Sequence, residues 1–299
     1  MRIKINKTIL GYLFALIASI ALANSFIFSK LSFKELSFYQ FGFYWFFLGT
    51  LWNLIYVFFR KKRFFSLTEL SLSINSSVIY IAVLEAIATG LFYYAILIME
   101  NPGVVSFIGN IGPVFVVLLG LVFLKEAFNK IQFVGILLAV GGVFLINFKG
   151  LNSVGDIFLA GSEYVILASF LFALAAIIAR RKRNKFDVGI LSLFRAIILL
   201  VVFLVLNYSH NQISLISIES FIYVSLGSFL EVFITIIFAY KSLQYIQAFK
   251  TSIIISSKGV FAIISAWIFL FLEPKLLEIL GGIISIAGVF LVSFQKVKN

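Results

Sequence analysis

Apolar residues run through this chain in long blocks separated by short polar breaks, with neither the alternation of a half-buried strand nor the single stripe of a soluble amphipathic helix. Ten blocks approach or exceed the roughly 20 residues that an α-helix needs to cross about 30 Å of hydrocarbon. They cover 8–29, 38–59, 74–99, 102–124, 131–148, 157–179, 188–207, 220–240, 249–272 and 276–294. The breaks are too short to hold a soluble domain, so the expected fold is an all-α membrane protein of ten transmembrane helices. The first block is too long for a signal-peptide core and lacks a small-residue cleavage site, so it reads as a retained helix.

A second pattern lies over the first. Leu84 to Leu97 reads LEAIATGLFYYAIL and Leu230 to Leu243 reads LEVFITIIFAYKSL. At an offset of 146 residues the pairs Glu85/Glu231, Thr89/Thr235, Phe92/Phe238 and Tyr94/Tyr240 recur, with the leucines at both ends. The same offset relates Gly142-Val143-Phe144-Leu145 to Gly288-Val289-Phe290-Leu291, and Gly11, Ala18 and Ser19 are echoed 150 residues later by Gly161, Ala168 and Ser169. The chain is therefore a duplication, 1–149 and 150–299, of a five-helix unit. Five is odd, so the second copy enters the membrane from the opposite side. Inverted repeats of this kind place a site near the bilayer midplane between the halves, a depth that Glu85 and Glu231 should both reach.

Composition and charge sharpen the class. Hydrophobic residues make up 62% of the 299, charged ones 12%, and the mean hydropathy is +1.13, more apolar side chain than a soluble core can hold. The net charge of +12 is spread unevenly over the breaks. With the N-terminus in the cytoplasm, Arg2, Lys4, Lys7, Arg60 to Arg63, Lys125, Lys130, the Arg180 to Lys185 cluster, Lys241, Lys296 and Lys298 share one side, while Lys30, Lys34, Lys149 and Lys275 take the other. The positive-inside rule then places both termini in the cytoplasm of a multi-pass cell (inner) membrane protein. The basic clusters are insertion signals in short loops rather than nucleic-acid contacts. Cysteine is absent, which removes disulfides and thiolate chemistry. No metal or organic cofactor is implied; proton coupling is the one exchange that the buried acids suggest.

Within the spans the polar residues carry the chemistry. On a helix Glu85, Thr89 and Phe92 share a face, as do Glu231, Thr235 and Phe238. Arg195 in the seventh span, with Lys258 in the ninth, balances the two glutamates; each charge left facing lipid costs roughly 2.5–3.5 kcal/mol, so all four should turn inward. Two readings stand: salt bridges that lock helices, or a polar cavity that meets an amino-acid-like substrate or a proton. Lys250, near a span end, is expected to snorkel to the interface. Asn110 stands one turn before Pro113, which breaks the fourth span where freed carbonyls need a wet or protein environment. Eight aromatics among residues 38 to 47 read as an interfacial belt facing lipid, or as an aromatic wall around a ligand through Tyr44 or Trp45. The small-residue faces Gly135/Ala139/Gly142 and Gly281/Ser285/Gly288 suit close helix packing, a homodimer contact included.

The fourth span, with Pro102, Pro113-Val114-Phe115 and then Leu124-Lys125-Glu126, is followed by Gln132, Gly135 and Gly142-Val143. With ten spans in two inverted repeats, the chain resembles the EamA-type branch of the drug/metabolite transporter superfamily. That resemblance implies a secondary transporter whose central cavity opens alternately to each side. It makes Glu126 the family's characteristic glutamate after the fourth span, structural at the cytoplasmic edge. The second copy departs from the pattern, with Gly259 where Pro113 would recur and Glu273 displaced by one position from the counterpart of Glu126. The expectation is a carrier that exports small amino-acid-like or amphipathic metabolites. Uptake of a cationic or zwitterionic nutrient is the alternative within the class. An intramembrane enzyme would need a catalytic constellation, and the only histidine, His210, lies in a loop. A structural or receptor protein would show no flux.

Overall fold

In hydrocarbon a backbone must satisfy its own hydrogen bonds, which leaves the helix as the available form for these apolar runs. The computed structural model describes residues 7–61, 76–98, 109, 111–126, 129–147, 161–184, 186–212, 214–270 and 276–294. Every apolar block contributes a helix: α1 (Lys7–Ser32), α2 (Phe38–Lys61), α3 (Ser76–Ile98), α4 (Gly112–Leu124), α5 (Lys130–Asn147), α6 (Ser162–Arg181), α7 (Val188–Ser209), α8 (Ile218–Tyr245), α9 (Ala248–Ser256 and Lys258–Leu270) and α10 (Leu276–Phe294). Six of them, α1, α2, α6, α7, α8 and α9, are long and apolar enough to cross a membrane. The described parts of the other four form shorter apolar helices.

The starts follow local chemistry. Ser37 and Gln40 exchange side-chain and backbone hydrogen bonds at the head of α2, and Asn129 and Gln132 do the same at the head of α5, two reciprocal capping boxes. Asp187 caps α7 through the amides of Gly189 and Ile190. Ser37 and Asp187 are 150 residues apart, so α2 and α7 begin in the same register.

Packing shows the duplication. α1 lies on α8 and α9, while α6 lies on α3 and α4; α2 pairs with α7 and α5 with α10. Exchanging each helix for the one five later returns these same pairings. The equivalent helices α2 and α7 are antiparallel, since Arg60 at the end of α2 meets Asp187 at the start of α7 at 2.7 Å while Ser37 meets Gln212 at the other end. In α5 and α10 the antiparallel contact is reciprocal. A Cβ on Gly142 would lie 2.3 Å from the Ser285 nitrogen, and one on Gly288 would lie 2.2 Å from the Ala139 nitrogen. These small faces therefore meet each other within the chain.

The aromatic run in α2 turns largely inward, contrary to a lipid-facing belt. Phe41, Trp45 and Phe46 are buried among Leu199 and Phe203 of α7 and Val224 and Val232 of α8, with Phe47 left outward. Eight rings in ten residues must point around the whole helix, so only part of the run can face lipid. At this end the connections are tied together. Tyr44 donates to the Ser214 carbonyl at 2.7 Å, and Ser217 and Ser220 donate to Glu35 at 2.5 and 2.6 Å. Those two hydroxyl donors hold the Glu35 carboxyl below its ordinary pKa.

Candidate functional site

Two helices from each repeat converge on one guanidinium. Arg195, in the second turn of α7 and 2% exposed, donates Nε to Glu85 Oε2 at 3.0 Å and Nη2 to Thr89 Oγ1 at 3.1 Å, both on α3. Glu85, 8% exposed, also accepts from the Tyr240 hydroxyl of α8 at 2.7 Å. On its other side Arg195 Nη2 stands 3.7 Å from Glu231 Oε1 of α8. Glu231 Oε2 accepts from Trp45 Nε1 of α2 at 2.5 Å. A buried charge costs several kcal/mol unless it is paired and hydrogen-bonded, which is why these groups cluster.

The two carboxylates differ in their backbone setting. Glu85 stands in regular α-helix, whereas Glu231 lies in a π-helical segment, Phe229–Thr235. Thr235 holds that segment by donating to the Leu230 carbonyl five residues back at 2.8 Å, a contact an α-helix does not offer. The Val232 carbonyl accepts from Asn53 of α2 and Ser192 of α7, both at 3.3 Å. Gly227 makes room for the indole, since a Cβ there would lie 2.2 Å from Trp45 Cη2.

Position for position, Trp45 follows the cap Ser37 as Arg195 follows the cap Asp187, eight residues in each case. The first copy sends an indole N–H to Glu231 where the second sends a guanidinium to Glu85. This correspondence was hidden in the sequence because the offset is 150 in the first two helices and 146 in the last three. Tyr240 was visible as a repeated residue, but its partner was not.

Of the expected site residues, Glu85, Glu231, Arg195, Thr89 and Trp45 come together. The remaining three described ones do not join them. Lys258 begins the second half of α9 and lies 5.8 Å from the Phe26 ring centroid of α1, because α9 packs on α1; charge balance alone paired it with the glutamates without knowing that face. Tyr44 is tied to the loop at Ser214. The Thr235 hydroxyl goes to backbone, with the Ala18 carbonyl at 3.4 Å besides Leu230. Asn110 and Glu273 lie outside the described residues. Arg195 itself stands between the glutamates, 3.0 Å from Glu85 and 3.7 Å from Glu231. Lys250 does not snorkel: it is 2% exposed and donates to the Tyr12 hydroxyl at 3.2 Å. Among the described residues no group of three or more His, Asp or Glu could hold a metal ion.

The model of the EamA-like transporter family matches residues 9–148 and again 159–294, two copies that cover most of the sequence. The chain belongs to the EamA-like transporter family. An uncharacterized transporter of Synechocystis sp. is 27% identical over 72% of this chain and 64% of its own length. An uncharacterized transporter of Methanothermobacter thermautotrophicus is 24% identical over 62% of this chain and 55% of its own. The match thus spans less than two thirds of either relative. A solved structure, described only as the crystal structure of a protein, shares the fold with a TM-score of 0.78 over 95% of both chains at 10% identity. This EamA-like chain is therefore a multi-pass membrane protein of a transporter family, with two repeats that meet at Arg195.

Proposed function

We propose that this chain is a ten-span secondary transporter made of two inverted five-helix repeats, exporting a small amino-acid-like or amphipathic metabolite across the cell membrane by alternating access. Both termini are cytoplasmic, following the lysine and arginine bias. The observation that carries this reading is the unequal hold on Arg195, 3.0 Å to Glu85 of one repeat and 3.7 Å to Glu231 of the other. A guanidinium fixed on one side and loosely held on the other is a contact that can be exchanged. A substrate carboxylate takes the Glu231 side of Arg195, and its ammonium group meets Glu231 beside the Trp45 ring. A proton delivered to Glu231 cancels its pull on Arg195 and couples the change to the proton gradient. Alternating access then follows from rocking one repeat against the other around this site.

The test is a thermal-shift screen of the purified protein against amino acids and amines, followed by counterflow of each hit in vesicles at pH 6 and pH 8. A ligand at 100 times its dissociation constant adds about 2.7 kcal/mol of stability. Hits should lose their effect in Glu231→Gln while that variant still inserts and folds. Equal stabilisation and flux in wild type and Glu231→Gln would remove Glu231 from the site.

A further inference from the structure

The lysine- and arginine-rich end of the molecule holds a second polar cluster, separate from Arg195 and its two glutamates. The π-helical segment Gly120–Leu124 ends α4, and Lys125 then turns the chain in the left-handed conformation, φ 53°. That turn carries Glu126 onto the start of α9, where it accepts from the Ala248 amide at 3.0 Å and meets the Phe249 amide at 3.5 Å. Burial pushes the Glu126 carboxyl up, and those amides together with Arg180 pull it partly back. Arg180, at the end of α6, lies 3.6 Å from Glu126 and donates to the Leu243 carbonyl of α8 at 2.8 Å. Glu126 and Arg180 are therefore committed to closing helix ends.

Beside them opens a cavity of about 400 Å³, lined by Lys125, Glu126, Arg180, Arg181, Arg183 and Gln247 among others. Four cations face one carboxylate that is already engaged. Among the described residues Lys125, Arg181 and Arg183 make no ion pair, and all three are exposed. Gln247 Oε1 is buried there without a partner. Turning that amide presents its N–H₂ instead, since the O and N ends are interchangeable in shape. Cations converging on a pocket with donors unspent select a multiply charged oxyanion, and at a membrane surface basic pockets between helices collect phosphate headgroups.

We propose that this pocket binds a phosphate group, carried on an anionic lipid headgroup or free in solution, with Arg181 and Arg183 as forked donors and Lys125 as a point charge. The volume exceeds that of a bare phosphate and leaves space for headgroup atoms. The site stands independently of the substrate reading, because none of its residues touches Arg195, Glu85 or Glu231.

The experiment measures the melting temperature of purified full-length protein in neutral detergent. One arm titrates sodium phosphate against sodium chloride at equal ionic strength; the other compares mixed micelles containing phosphatidylglycerol with phosphatidylcholine. Wild type should be stabilised in at least one arm, and Lys125→Gln/Arg181→Gln/Arg183→Gln should lose that shift. Because those cations also guide insertion, a second variant, Arg181→Lys/Arg183→Lys, keeps the charge and should weaken the apparent affinity about tenfold through the lost forked hydrogen bonds. A shift confined to phosphatidylglycerol identifies the lipid as the source, and saturation by free phosphate identifies the solution ion. No anion-specific shift, or one unchanged in the triple variant, overturns the proposal and leaves the cations as insertion signals only.

Discussion

Glu85 and Glu231 are the same residue in two copies of one helix, yet they live differently. Glu85 sits in unbroken α-helix and takes Arg195 and Tyr240, with Thr89 steadying the same guanidinium. Glu231 sits in a π-helical segment, takes Trp45, and holds Arg195 only at 3.7 Å. The symmetric partner of Tyr240, Tyr94, is 44% exposed and stands edge-on to Tyr164 instead of reaching Glu231. Duplication thus supplied two matching carboxylates, and one divergence on the facing helices, tryptophan against arginine, made one an anchor and the other a loosely held partner.

The largest break in that comparison comes from removing its shared member. Arg195→Met leaves one buried and one half-buried carboxylate without their cation and should cost about 3–5 kcal/mol, read as a collapse of the melting temperature and of folded yield in detergent. Next, the two glutamates should separate. Glu85→Gln should cost about 2–3 kcal/mol by loosening a charged hydrogen-bond network, while Glu231→Gln should cost less than half as much; paired melts of the two variants decide it, and equal losses would erase the anchor distinction. A control comes from the region where symmetry survives. Gly142→Ala and Gly288→Ala should each cost roughly 1–3 kcal/mol by forcing α5 from α10, and by the same amount, so a large inequality would break the pseudo-symmetric account. The smallest effect is at the tyrosines: Tyr240→Phe should lose about 1.5 kcal/mol with its bond to a carboxylate, and Tyr94→Phe close to nothing, both measurable by melts against wild type.

Much of this was legible in residue order. The apolar blocks named every described helix, because a backbone in hydrocarbon has little choice but to coil. The offset of 146 paired Gly142 with Gly288 and Glu85 with Glu231, since a duplicated fold keeps its close contacts and its buried charges in matching places. Family membership followed the same route, through Pro113, Glu126 and Gly142. What failed was the assignment of faces. Sign of charge groups Lys258 with the acids, and closeness to a span end sends Lys250 to the interface; both placements depend on which neighbour a helix side meets.

Residue order alone establishes a duplicated, helical membrane chain with a glutamate at the matching position of each copy, because hydrophobic length and repetition are properties of one dimension. Packing in three dimensions sets one arginine between those glutamates, puts Trp45 at its mirror position, and leaves Lys258 against α1. Helix rotation and the local gain of a π-turn rotate side chains by amounts no linear spacing records, and it is those rotations that choose which charges meet.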